Sequence, residues 1–224
     1  MNTSSLLTRS LVAAASMLMI GAANAAPVTW TDWTAINATT ATGSIGGVGV
    51  TVTGGIALGG RSQTACGINY WTQNAGNPPY TGGVADNAPT ACEQVGLIGP
   101  TTLTITFATA IDDLLMALVS VGQTGVPVGY SFNQSFALDS EGVGYWGGGQ
   151  AGAYVQNSAT SFTGREFHGT IRFAAPVTSL TIVVNPGEDW HAFTFGVVPE
   201  PGSMALVGLA LLGAGAVSRR RKAV

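Results

Sequence analysis

Lysine is almost missing from this chain of 224 residues: its one copy is Lys222. Between residues 26 and 198 the only basic side chains are Arg61, Arg165 and Arg172. The same stretch carries Asp32, Asp86, Glu93, Asp112, Asp113, Asp139, Glu141, Glu166, Glu188 and Asp189. Ten acids against three arginines leave it at −7, whereas the basic C-terminal end brings the whole chain to −3. A lysine-free acidic surface repels phosphate backbones, which excludes nucleic acid as a partner. It suits an extracellular milieu, or a surface that holds divalent cations. Cysteine and histidine are down to two copies each. No Gly-x-Ser-x-Gly elbow, His-Glu-x-x-His helix or phosphate-cradling loop occurs, so the usual nucleophile and zinc signatures are missing. No fixed-period repeat is present, which argues against a solenoid or propeller.

The two ends are apolar in a way the middle is not. Arg9 precedes an apolar run from Leu11 to about Ala23, and Ala23-Asn24-Ala25 supplies small residues where a signal peptidase reads them. Residues 1–25 are therefore expected to be a signal peptide, cut after Ala25. At the other end Val198-Pro199-Glu200-Pro201 leads into an apolar stretch, and Arg219, Arg220, Arg221 and Lys222 follow it. Residues 202–217 amount to about 24 Å of helix against roughly 30 Å of hydrocarbon, a short transmembrane span. The basic end 218–224 belongs on the cytoplasmic side.

The Pro-Glu-Pro triplet, short apolar stretch and arginine cluster together resemble the PEP-CTERM sorting signal of Gram-negative bacteria. The resemblance implies that an exosortase, a membrane-embedded transpeptidase-like enzyme, processes the tail 199–224. Pro199, Glu200, Pro201, Arg219, Arg220 and Arg221 would then be its recognition residues. It also implies an exported protein, held transiently at the inner membrane facing the periplasm and then released to the cell surface or extracellular matrix. Expected partners are signal peptidase, exosortase and, from the biofilm context of that family, extracellular polysaccharide.

Residues 26–198 read as strand after strand. Val48–Thr53, Leu103–Phe107, Leu114–Val121, Val128–Phe132, Gly169–Phe173, Ser179–Val184 and Ala192–Val197 are rich in β-branched and aromatic residues, with Gly, Pro and Asn between them. Further candidates are Ser135–Leu138, Ala153–Gln156 and the loosely alternating Val28–Trp33. No segment outside the two ends has a helical period. The expected fold is all-β, an antiparallel β-sandwich of jelly-roll type, flanked by the signal helix and the transmembrane helix. Cys66 and Cys92, a lone pair in an exported domain, are expected to form one disulfide. It would close a segment that carries Tyr70, Trp71 and Tyr80. A binding face is one reason for such a tether; stability alone is the simpler one.

Chemistry is thinly represented. Asp112-Asp113, Asp139-Ser140-Glu141 and Glu188-Asp189 cluster oxygen donors near expected turns. Such groups can hold Ca²⁺, or supply the two carboxylates of glycoside hydrolysis, but solvated turn residues are the leading expectation. No other cofactor is expected. Trp190, beside Glu188, Asp189 and His191, could stack on a sugar or cap the sandwich; capping is the expectation. The loop Gly142–Gly149 offers Tyr145 and Trp146 on a flexible, exposed stretch. The first functional expectation is a non-enzymatic surface or matrix protein that associates with exopolysaccharide in a biofilm. A secreted polysaccharide hydrolase is the alternative. The Thr102-x-Thr104-x-Thr106 spacing keeps an adhesive or ice-binding protein as a minor one.

Overall fold

The computed structural model describes residues 27–199, which form a compact unit. The expected signal peptide, with Ala23 and Ala25 at its expected cut, the expected transmembrane stretch and Glu200, Pro201, Arg219, Arg220 and Arg221 lie outside the described residues. All regular structure among the described residues is β-strand. The strands are β1 (Thr29–Trp30), β2 (Asp32–Ile36), β3 (Thr40–Ile45), β4 (Val48–Thr53), β5 (Val95–Leu97), β6 (Thr101–Ile111) and β7 (Leu114–Val121). They continue as β8 (Val128–Phe132), β9 (Ala137–Glu141), β10 (Tyr154–Ser158), β11 (Ser161–Gly164), β12 (Phe167–Phe173), β13 (Val177–Val184) and β14 (His191–Val197). Asp139 and Glu141, expected near a turn, thus lie on a strand, because β9 pairs with β12 through Gly169↔Glu141 and Thr170↔Ser140.

Two antiparallel sheets face each other. One runs β1-β14-β7-β12-β9, with β5 also on β14; the other runs β10-β11-β8-β13-β6-β4-β3-β2. Alternation decides what each strand buries. In β6, Leu103, Ile105 and Phe107 turn inward while Thr102, Thr104 and Thr106 turn outward. They meet Leu114, Met116, Leu118, Phe193 and Phe195 of the opposite sheet in one continuous core. Phe107 touches Phe195 edge-on at 5.7 Å between centroids.

Strand β7 departs from alternation: every residue in it is buried. Its second face lies under the long connection 54–94, which folds back over the sheet. Trp71 and Tyr80 pack there on Ala117, Val119 and Ala192, and Ala85 packs on Leu115 and Val28. Burying each such aromatic side chain is worth on the order of 2–3 kcal/mol, which fixes the connection as a third layer. The Cys66–Cys92 disulfide forms, and the bridge pair Gln63↔Gln94 lies just outside it. Asn87 clamps the connection to the start of the domain: its Oδ1 accepts from Val28 N at 2.7 Å and its Nδ2 donates to Val28 O at 3.0 Å.

The outer face of the eight-stranded sheet carries two rows of hydroxyls. Register places Thr42, Thr51, Thr106 and Ser179 side by side across β3, β4, β6 and β13, and Thr40, Thr53, Thr104 and Thr181 in the next row. With lysine absent, threonine is the polar residue that a half-exposed strand favours most.

Candidate functional site

Four aromatic side chains from three loops meet on the surface at one end of the six-stranded sheet. Tyr70 comes from the disulfide-closed connection, Tyr145 and Trp146 from the glycine-rich turn, and Trp190 from the residue before β14. Tyr70 stacks on Trp146 with centroids 5.2 Å apart and planes 20° from parallel. It also contacts Trp190 at 4.9 Å and Tyr145 at 5.2 Å, while Trp146 meets Trp190 at 5.2 Å. Trp146 and Tyr145 remain 49 % and 45 % exposed, too much for rings that serve only as core.

The backbone explains why these rings stand out. Gly144 and Gly147 exchange backbone hydrogen bonds of 2.7 and 3.3 Å, which close a tight turn around Tyr145-Trp146. Gly147, Gly148 and Gly149 all have positive φ, between 72° and 106°, a region closed to most side chains. Gly144 lies directly on the His168 ring, leaving no room there for a Cβ. His168 is itself fully buried. Its Nδ1 accepts from Ser120 N–H at 3.3 Å and from the Tyr80 hydroxyl at 3.4 Å. The proton therefore sits on Nε2, which donates to Glu166 Oε1 at 3.1 Å. Ser120 Oγ donates to the same carboxylate oxygen at 2.7 Å. A satisfied polar network under the turn thus holds the exposed rings in place.

Trp190 is anchored from the other side: its Nε1 donates to Arg61 O at 3.2 Å. Trp190 is half-buried and packs on the cluster of Trp71, Tyr80, Ala117, Val119 and Ala192 that covers the six-stranded sheet. Alternation along Trp190-His191-Ala192-Phe193 sends His191 and Phe193 inward, and Trp190 joins the surface rings. Beside it lies an open pocket of about 480 Å³ lined by Arg61, Ile98, Gly99, Gly187, Glu188 and Asp189.

The acidic residues separate into different roles. Asp139 ties the third layer to the sheet: Oδ1 accepts from Val84 N at 3.1 Å and Oδ2 from Thr170 Oγ1 at 2.9 Å. Glu141 is exposed on β9. Asp113 pairs with Arg172 at 2.7 Å. Glu188 is buried, with Oε1 accepting from Gly122 N–H and lying 3.4 Å from His191 Nδ1. Asp189 is exposed at the pocket. Of the acids singled out in the sequence, only Glu188 and Asp189 line the same pocket, and Trp190 borders it. Among the described residues no group of three or more His, Cys, Asp or Glu is arranged to hold a metal ion.

Sequence reasoning treated the turn, the Trp190 loop and the disulfide-closed loop as separate features and missed their meeting. The signal available was the repeated pair Tyr70-Trp71 and Tyr145-Trp146, each in a Gly- and Asn-rich stretch. Burial and nearby acids both leave their mark on three phenols. Burial, and then the charge of Glu166, push Tyr80 well above the ordinary 10.0; burial and Glu188 do the same to Tyr130. Burial and Glu141 take Tyr154 to about 12.

Comparison with known proteins adds one specific match. No curated protein matches the chain significantly. Among solved structures, CBM32-3 from a family 31 glycoside hydrolase of Clostridium perfringens is similar over 46 % of this chain and 74 % of that one. The identity is 11 % and the TM-score 0.24, too distant to bear on fold or function. The tail is different. Its match begins at Val197, the last residue of β14, and Val198 packs on the buried cluster of Val28, Ala85 and Leu115. Pro199, half-buried, is the one residue of the Pro-Glu-Pro triplet within the described part. Over residues 197–222 the chain carries a PEP-CTERM protein-sorting motif, the tail of exported Gram-negative proteins that are sorted by exosortase.

Proposed function

We propose that this is a cell-surface or extracellular-matrix protein that holds extracellular polysaccharide of a biofilm on its aromatic platform without turning it over. The observation that carries the reading is the platform itself. Four rings from three loops form one cluster, in which Tyr70 and Trp190 pack on the buried layer and Tyr145 and Trp146 stay exposed to the C–H faces of sugar rings. The sorting motif supplies the compartment in which such a polymer is found. Residues 202–217 would hold the protein briefly at the inner membrane before exosortase acts. Asp139, bonded to a backbone amide and a hydroxyl, and Asp113, paired with Arg172, are engaged in holding the fold, which supports a structural role for these carboxylates.

The test uses the host's own exopolysaccharide, with wild type and Trp146→Ala compared for retention on the polymer and release of reducing ends. Retention by wild type, its loss in the variant, and no release of sugars are expected. Released oligosaccharides would establish the hydrolase alternative, and no retention would refute the reading. The hydroxyl rows give the ice-binding alternative a surface. Strand twist of about 20–25° per pair carries four strands well out of the plane a crystal face needs, so the platform ranks first.

A further inference from the structure

We infer that the platform and the adjoining pocket form one site for a neutral glycan, with ring faces stacked on the aromatics and hydroxyls held between Arg61 and Asp189. The inference rests on the polysaccharide reading above and names the class of polymer.

The two parts are physically joined. The Trp190 indole N–H is bonded to the carbonyl of Arg61, so the ring at the platform's edge and the arginine at the pocket share one anchor. Asp189 precedes that ring in the chain and lines the same pocket. Glu188 lines it too, but its Oε1 is committed to Gly122 N–H, and its carboxylate is buried. The charged side chains left open to a ligand are therefore one guanidinium and one carboxylate.

These two groups do not satisfy each other. Arg172 has a carboxylate partner in Asp113, whereas Arg61 and Asp189 form no ion pair among the described residues although they line one pocket. A guanidinium offers five donors and a carboxylate offers acceptors only. A guanidinium and a carboxylate that line one pocket together complement a group that both donates and accepts, which is what a sugar hydroxyl does. It does not complement a second carboxylate, which Asp189 would repel.

The wider field agrees. Residues 26–198 carry −7, and a polyuronate would be repelled over the Debye length of about 8 Å at physiological salt. One arginine does not reverse that sign. A neutral polymer meets no such barrier, and its affinity should not follow ionic strength.

The experiment uses the full-length chain in detergent with two sets of soluble probes at low and high salt. One set is neutral (a glucan, a galactan and a mannan); the other is uronic (alginate and polygalacturonate). At least one neutral polymer should bind with salt-independent affinity and be lost in Trp146→Ala. Arg61→Ala and Asp189→Asn should each weaken it by roughly 10-fold or more, the loss of one charge-assisted hydrogen bond, with the melting temperature unchanged. Preferential, salt-sensitive binding of a uronate polymer through Trp146 would overturn this inference and leave the polysaccharide reading intact. Neutral binding that ignores both Arg61 and Asp189 would overturn it as well. If no polymer in either set binds, the polysaccharide reading falls and this inference falls with it.

Discussion

Raising the pH above 10 should destabilise this domain through its tyrosines. Tyr80 and Tyr130 are fully buried, and both phenols are held well above the ordinary 10.0, first by burial and then by Glu166 and Glu188 respectively. In the unfolded chain they ionise near pH 10. Above that pH the unfolded state binds two fewer protons than the folded one, so stability falls as pH rises. The limiting slope is about 2.7 kcal/mol per pH unit for two groups, and the loss by pH 11 is about 3 kcal/mol. That is a large part of the roughly 5–15 kcal/mol typical of a domain. Tyr154, raised to about 12 and half in solvent, adds a smaller loss of the same sign. The absence of lysine from residues 26–198 and the bonding of both cysteines leave tyrosine as the side chain that titrates there. Urea midpoints followed by circular dichroism from pH 8 to 11, alongside phenolate absorbance, make the assay. Tyr130→Phe isolates one group. It should remove about half the slope without lowering stability at neutral pH, because the Tyr130 hydroxyl has no hydrogen-bond partner among the described residues. A midpoint that stays flat to pH 11, or five phenols ionising near 10 in a native spectrum, would refute the reasoning.

Two further outcomes follow from the third layer and the turn. Replacing Cys66 and Cys92 together by Ser frees a loop with a sequence separation of 26 and should cost about 3 kcal/mol of loop-closure entropy, read from urea midpoints. The same variant should lose polymer retention early in the melt, because Tyr70 sits inside that loop. Gly144→Ala forces a methyl group against the His168 ring. It should destabilise by about 1–3 kcal/mol in thermal melts and release Tyr145 and Trp146, seen as a change in tryptophan fluorescence; an unchanged spectrum would contradict the packing described.

Much of the fold was legible because β-alternation is local. Val48–Thr53, Leu114–Val121 and Val128–Phe132 have the expected limits. The apolar run of β7, interrupted only by Ser120, was legible as a strand, but the cover on its second face comes from the connection 54–94 and was not. Strand β3 was not anticipated, since Thr-Ala-Thr-Gly-Ser-Ile has a glycine near its centre and only one large apolar side chain, Ile45, at its end. The short β5 and β11 were missed for want of length, since three or four residues make too small a pattern. The site was legible only in pieces. Trp71 and Tyr80 look like loop aromatics in sequence, and only the folding back of 54–94 buries them. Their neighbour Tyr70 stays out by the same geometry. What joins Tyr70, Trp146 and Trp190 is contact between segments far apart in the chain, which no local pattern encodes.

Strand β14 has a mechanical consequence. Trp190 stands immediately before its first residue, and the sorting motif begins at its last. In a protein held by its tail and pulled by a bound polymer, the load would run along this one strand, about 23 Å from grip to tether. Its register with β7, from Ala192↔Val119 to Val197↔Leu114, lies parallel to that pull. The hydrogen bonds would therefore be strained together in shear and not opened one at a time from an end. The rest of the sandwich stands beside the line of force and clamps it, so the domain would behave as a splice between polymer and cell.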